Sequence, residues 1–351
     1  MRIWTALFPL AGLYRLILWA WERVYTRGWT YVERLPRPVV SVGNITVGGT
    51  GKTPLVMYLA RALQEKGFRP AVLSRGYRRK GKGVGLVSDG KRVLMGPDEA
   101  GDEPYLLARK LPGVPVAVGR DRREAGELVL GRVEVSHFIL DDGFQYRALA
   151  RDIDIVVLDA RDPFGGGHLL PWGLLREPPS ALHRADVVCI SRADQVPPEV
   201  LEEVREKVTR LAPEAILVEC VHRPRRLQAP EGELPLSALR GKKVVALSGV
   251  GSPGAFERTL EDLGAEVVPL RFRDHHLYTG DDVAKAIRLT RDAEADAVVT
   301  TEKDRVRLPP DVPFWTLEVE VEEDGGRLRE LMRSLAPEKY GSEAEGFLGH
   351  I

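Results

Sequence analysis

The sequence predicts an α/β protein: a doubly wound, mostly parallel sheet domain followed by a smaller C-terminal α/β domain and preceded by an amphipathic helix. Three features of the chain predict this. A buried-strand run at residues 38–44 passes directly into a glycine-rich loop and then a helical pattern at residues 56–63. Apolar strand-like runs and helical segments then alternate up to about residue 215. After a Pro- and Arg-rich stretch at residues 221–235 a second alternation begins, with strands at 243–250, 266–272 and 296–301 and helices at 253–263 and 281–292.

The length of 351 residues suits about two domains. The expected divisions are 1–27 for the helix, 28–225 for the sheet domain and 226–351 for the smaller one. Hydrophobic residues make up 44% and charged residues 29%, as in a folded globular chain. Lys plus Arg balances Asp plus Glu at 51 each, which points to no nucleic-acid partner. The two cysteines, Cys189 and Cys220, lie in apolar runs without metal-ligand spacing and are expected as buried thiols of a reducing compartment.

Charge is uneven along the chain. Residues 1–37 carry six arginines against two glutamates, an excess of four positive charges, and four of the six tryptophans: Trp4, Trp19, Trp21 and Trp29. Trp4, Leu7, Phe8, Ala11, Tyr14, Leu18, Trp21 and Tyr25 recur at steps of three and four, the period of a one-sided helix. Arg15 and Pro9 interrupt the roughly 20 apolar residues that a membrane span needs, and no small-residue cleavage site follows. Two readings remain: a helix in a membrane interface, with its rings at headgroup depth and its arginines on anionic lipid, or a helix packed on the protein's own core.

The loop after the first strand is Thr46, Val47, Gly48, Gly49, Thr50, Gly51, Lys52 and Thr53. Its backbone N–H groups and the helix N-terminus can wrap a phosphate, Lys52 can reach the terminal oxygens and the Thr53 hydroxyl can ligate Mg2+. Thr46 stands where the general P-loop pattern has its first glycine.

Later strands end in polar residues, where ligands gather in an open parallel sheet. The run 70–77 ends in Arg75 and Tyr77, followed by Arg78, Arg79, Lys80 and Lys82; the run 116–122 carries Arg120 and Arg122. The run 138–145 carries Asp141, Asp142 and Gln145. A carboxylate at the end of a buried strand beside a P-loop holds magnesium in this class of protein. Asp141 and Asp142, being adjacent on a strand, divide the work. Ser191-Arg-Ala-Asp194 occupies the place of a guanine-reading motif but differs at two of three informative positions, and is expected as an ordinary strand end.

Taken together, residues 43–54, Ser74-Arg-Gly-Tyr77, Gly101-Asp-Glu-Pro104, Asp141-Asp-Gly-Phe-Gln145, Leu169-Leu-Pro171, Leu175-Arg-Glu-Pro178 and Thr300-Thr-Glu-Lys-Asp304 resemble the tetraacyldisaccharide 4'-kinases of lipid A biosynthesis. The likeness runs from the N-terminal helix to about residue 310. Tyr146 and Arg78 depart from it, standing where His and Gly are common.

The resemblance implies two α/β/α domains, the smaller closing over the nucleotide, and transfer of the γ-phosphate of ATP, with Mg2+, to the 4'-hydroxyl of tetraacyldisaccharide 1-phosphate. It implies a peripheral place on the cytoplasmic face of the bacterial inner membrane; no obligate protein partner is evident. It puts Asp102 on the acceptor side as proton acceptor, although Asp102 can equally cap the helix that follows it. It implies that His275 reaches across to Asp102. Tyr77, Arg120, Arg122, Gln145 and Arg176 are candidates for substrate contact, the arginine forks suiting phosphate. Thr301, Glu302 and Asp304 are candidates for the ribose or base, or a structural cap. The rivals are a P-loop GTPase or metallochaperone and a soluble small-molecule kinase. Neither a Cys/His cluster nor an intact guanine-reading motif supports the first, and the second leaves the aromatic helix unexplained.

Overall fold

A computed structural model of the protein describes residues 8–335. These divide into two units, residues 8–221 with 322–335, and residues 222–321. The first runs through α1 (Phe8–Thr26), β1 (Val39–Gly43), α2 (Lys52–Gln64), β2 (Pro70–Ser74), β3 (Gly85–Asp89), α3 (Pro97–Ala100), α4 (Asp102–Lys110), β4 (Pro115–Val118), α5 (Arg122–Leu130), β5 (His137–Asp141), β6 (Ile153–Asp159), β7 (Val187–Ser191) and α6 (Pro198–Leu211). Strand β8 (Ile216–Ala229) carries the chain into the second unit, made of β9 (Gly232–Leu234), β10 (Lys243–Ser248), α7 (Pro253–Asp262), β11 (Glu266–Arg271), α8 (Gly280–Asp292), β12 (Ala297–Thr301) and α9 (Glu302–Arg305). Strand β13 (Trp315–Glu323) returns the chain to the first unit, where α10 (Arg327–Ser334) follows.

The strands of the first unit lie in the order β3-β4-β2-β5-β1-β6-β7, with the start of β8 beside β7. All pair in parallel except the edge strand β3 with β4. The five residues of β1 are buried throughout, as the continuous apolar run requires of a strand covered on both faces. Helix α6 shows how the covering works: Leu201, Val204 and Val208, spaced by three and four, pack into the cluster that holds Val156, Leu158, Val188 and Ile190 of β6 and β7. Each such side chain, once buried, contributes about 1.5–3 kcal/mol. The chain leaves β1 toward one edge and β6 toward the other, so these neighbouring strands form a topological switch point, outside whose carboxyl ends ligands gather in open parallel sheets.

Residues 322–335, counted with the smaller domain in the sequence reading, pack on the first unit instead. Glu323 accepts the Tyr58 hydroxyl of α2 at 2.7 Å, Arg329 Nε donates to the same hydroxyl oxygen at 2.9 Å, and Leu335 O lies 2.7 Å from His137 Nε2.

Trp4 and Leu7, assigned to the amphipathic face, lie outside the described residues. Within α1 the two readings of the helix fall on two different faces. Ala11, Tyr14, Leu18 and Tyr25 turn toward the body of the unit and are wholly or partly buried. Leu10, Leu13, Ile17 and Trp21 form a second apolar ridge, with Leu16 and Trp19 beside it, and all are exposed. The predicted stripe therefore mixes docked and exposed residues, Trp21 and Phe8 being outside. No helix among the described residues is long and apolar enough to cross a membrane.

In the second unit β10 lies between β11 and β12, all parallel, with β13 parallel to β12 and β9 turning back antiparallel on the end of β8. Thr279 and Asp282 form a reciprocal capping box at the start of α8.

Candidate active site

Strand β1 ends at Gly43, where a Cβ would stand 2.4 Å from that of Phe144, leaving room for glycine alone. The loop of residues 44–51 then turns into α2. Gly48 and Gly51 adopt φ of +115° and +96°, which favour glycine, and Asn44 Nδ2 donates to Thr50 Oγ1 at 3.2 Å. Thr46 takes the first glycine's place without strain because it lies in an extended bridge with Leu175, and Val47 N donates to Leu174 O at 2.8 Å.

Two carboxylates stand at the end of β5, in unlike surroundings. Asp142, in the left-handed region at φ +55°, takes both its oxygens to Arg176 Nη1 at 2.9 Å and lies 3.4 Å from Lys52 Nζ. Burial alone would raise its pKa, but Lys52 and Arg176 outweigh it and hold the carboxyl well below the usual range. Asp141 is buried and accepts the Ser74 hydroxyl at 3.1 Å. Burial first, then the charges of Glu103 and Asp142, push its carboxyl up to about 7 against the pull of Lys52. The two neighbouring carboxylates thus differ in surroundings, one gripped by two cations and the other buried beside a hydroxyl.

The remaining candidates of the first unit gather unevenly. Asp102 is buried and is the first residue of α4, its Oδ1 accepting the Glu103 N–H at 3.1 Å; the N-cap position itself belongs to Gly101, at φ +91°. Gln145 Nε2 donates to Asn44 O at 2.8 Å and to Glu177 at 2.9 Å, and Gln145 Oε1 accepts from Arg176 Nη1 at 3.5 Å, which ties the strand end to the loop and to Arg176. Arg122 is 5% exposed, stacks on Tyr146 at 4.3 Å and donates to Arg120 O at 2.7 Å, while its Nε is buried with no partner. Arg120 and Tyr77 are exposed. Of the two departures from the family pattern, that at Tyr146 has a local reason. Tyr146 uses its hydroxyl to accept from Arg122 N and donate to Asp121, and Arg78 sits at φ +57°, where glycine is at ease.

Two kinds of comparison bear on this arrangement. The sequence pattern described as LpxK, tetraacyldisaccharide-1-P 4'-kinase, matches residues 3–336. The tetraacyldisaccharide 4'-kinase of Anaeromyxobacter sp. (strain Fw109-5) is 48% identical over 307 residues, covering 85% of this chain and 81% of that protein. The chain belongs to the tetraacyldisaccharide-1-P 4'-kinase family. The kinase of that name from Syntrophus aciditrophicus (strain SB) is 47% identical over 287 residues, 79% of this chain and 77% of the relative. The crystal structure of LpxK from Aquifex aeolicus in complex with ATP superposes with a TM-score of 0.74 at 33% identity, over 95% of this chain and 99% of that one. The protein is an ATP-dependent lipid A 4'-kinase, a phosphotransferase with an alcohol acceptor. The GTPase and soluble-kinase readings fall away.

In this tetraacyldisaccharide 4'-kinase the second unit carries His275, at φ +60°, with Asp274 at 3.9 Å. It also carries the strand-end group Thr301, Glu302 and Asp304. Of the two roles open for Asp304, its surroundings support the structural one. It is fully buried, and its carboxylate accepts from Gly249 N, Tyr278, Arg307 and Thr301 Oγ1. It braces the strand end. Thr301 caps α9 through Asp304 N. Sequence reasoning also missed Ser191 and Arg192, which bond to the carbonyls of Thr50 and Gly49 in the loop. Their signal was present as the altered motif after β7, dismissed because it no longer spelled a guanine reader.

Proposed function

We propose that residues 46–53 cradle the phosphates of ATP and that the lipid's sugar hydroxyl attacks the γ-phosphorus there. In that step the new P–O bond forms to the sugar oxygen, the bond to the ADP oxygen breaks, and Asp102 accepts the hydroxyl proton. Lys52 supplies positive charge at the transferring group. The observation that carries the reading is Asp142, held between Lys52 and Arg176 at the foot of the loop.

The residues present fit Mg2+. Asp141 and Asp142 stand together at the end of β5, Asp142 3.4 Å from Lys52 next to Thr53, and burial first, then the charges of Glu103 and Asp142, raise the Asp141 carboxyl. Asp141, Asp142 and Thr53 would hold the ion, which when bound supplies charge neutralisation for the phosphate oxygens. Arg176, Gln145, Arg120, Arg122 and Tyr77 are proposed for substrate contact; the buried Arg122 Nε without a partner supports an anion nearby. Thr301 and Glu302 are retained as nucleotide contacts and His275 as the partner of Asp102, both on the family resemblance.

The exposed ridge of α1 supports a peripheral place on the cytoplasmic face of the bacterial inner membrane. Arg23 and Arg27 lie over the rings of Trp19 and Trp29, a pattern suited to an anionic headgroup layer. The test of the whole reading is incubation with Mg2+, ATP and detergent-dispersed tetraacyldisaccharide 1-phosphate, with Lys52→Ala alongside. A lipid product one phosphate heavier, lost with Lys52→Ala by about 10²–10³ or more, is expected. Near wild-type turnover in the variant rejects the loop assignment.

A further inference from the structure

Two consecutive carbonyls of the phosphate loop are held from behind. Ser191 Oγ donates to Thr50 O at 2.6 Å, and Arg192 Nη1 donates to Gly49 O at 3.1 Å. Both side chains are buried, at 2% and 8% exposure. The same Arg192 Nη1 lies 2.6 Å from Asp159 Oδ2 at the end of β6. Asp159 is fixed in turn by Arg161, whose Nε and Nη2 donate to its two oxygens at 2.9 and 2.6 Å. To present its guanidinium, Arg192 adopts φ +55°.

The chemical consequence follows from the planarity of the peptide. In a trans peptide the N–H points opposite the C=O. Holding the carbonyls of Gly49 and Thr50 toward β7 therefore turns the N–H groups of Thr50 and Gly51 the other way; the Thr50 N–H meets Gly48 O at 3.2 Å, and the Gly51 N–H is the amide left directed away from Ser191. An anion-binding loop works only when its amides converge on the anion. Gly49 and Gly51, which flank these two planes, are the residues around which they rotate most freely.

We propose that Ser191 and Arg192, with Asp159 behind them, are positioning residues that lock the peptide planes of the loop in the phosphate-binding orientation. The inference rests on the loop assignment proposed above and extends it to a motif outside the loop. Arginine suits the task because one planar fork serves a carbonyl and a carboxylate together, which a lysine ammonium does with less directional control.

The experiment uses the full chain with Arg192→Ala, Arg192→Lys, Ser191→Ala and, as control, Lys52→Ala. Measured are the Kd for ATP and for ADP, the KM for each substrate, and Tm. Arg192→Ala is expected to weaken ATP and ADP by the same factor, about tenfold or more, with the lipid KM unchanged, and Arg192→Lys to recover part of the loss. A structural role alone would lower Tm and the active fraction while leaving both nucleotide constants at wild type, and that result overturns the proposal. Should Arg192→Ala fail to fold, Ser191→Ala carries the test: about a five- to tenfold weaker ATP supports it, and unchanged ATP affinity rejects it. An active Lys52→Ala means that the loop assignment fails; an inactive Lys52→Ala with wild-type ATP affinity in Arg192→Ala and Ser191→Ala means that the clamp alone fails.

Discussion

The Tyr14 hydroxyl donates to the backbone carbonyl of Arg176 at 2.7 Å. Arg176 in turn grips Asp142 beside Lys52. The N-terminal helix, whose outer ridge is exposed, is thus one residue removed from the carboxylate at the foot of the loop. Phe8 packs edge-on against Trp172 at 5.2 Å, and Glu22 pairs with Arg147 and Arg184, which pins the helix along its length.

The two faces of α1 can be separated by substitution. Leu13→Gln, Ile17→Gln and Trp21→Gln together alter only exposed side chains, so Tm should move by no more than about 2–3 °C. Co-sedimentation with anionic vesicles should fall sharply and the lipid KM should rise several-fold, with ATP affinity unchanged. Undiminished vesicle binding would show that another surface anchors the protein.

Asp141 makes stability depend on pH. Its folded carboxyl titrates near 7, above the ordinary 3.8, so between these values the folded state holds a proton that the unfolded state has released. Stability contributed by this group therefore falls as pH rises from about 4 to about 7. Asp141→Asn removes that cost. Without Mg2+ the variant should melt above wild type at pH 8, with the gap closing toward pH 4, while turnover is lost. Melts across this range decide it; a variant less stable than wild type at pH 8 contradicts the account.

If Asp102 accepts the hydroxyl proton and His275 tunes it, each alanine variant lowers kcat with ATP affinity kept. Asp102→Ala should lose about 10²- to 10⁴-fold. The double variant should be scarcely slower than Asp102→Ala, because groups acting as one unit give non-additive losses. Fully multiplicative losses would separate the pair.

Asp304→Ala should behave as a stability variant. It strips Arg307, whose side chain is 4% exposed, of a carboxylate at 2.7 Å, a loss of about 3–5 kcal/mol. Tm should drop while the ATP KM of the protein that remains folded stays at wild type. A raised ATP KM at unchanged Tm would return Asp304 to the nucleotide.

Much of the fold was legible because parallel strands covered on both faces read as unbroken apolar runs, and β1 leading into Lys52 is such a run. The glycine loop and the Asp141–Asp142 pair were legible for the same reason: local backbone demands and strand ends leave local signatures. What the sequence hid is long-range. Nothing near Tyr58 announces Glu323, and nothing near residue 320 announces the return of α10 to α2. The two faces of α1 were merged because Leu10, Leu13 and Ile17 fall between the rings that drew the eye. The two roles of Asp304 stayed open because a strand-end acid looks the same whether it meets a ligand or four buried donors.

The return of α10 to α2 bears on how the polypeptide is made. The helix that begins with Lys52 is made first, and the partners of its Tyr58, Glu323 and Arg329, are 265 and 271 codons further on. At about 5–20 residues per second, that face of α2 stays uncovered for roughly 13–50 s of synthesis. A message truncated after the second unit would leave the Tyr58 hydroxyl without either partner, so this face of α2 is closed only once α10 has been made.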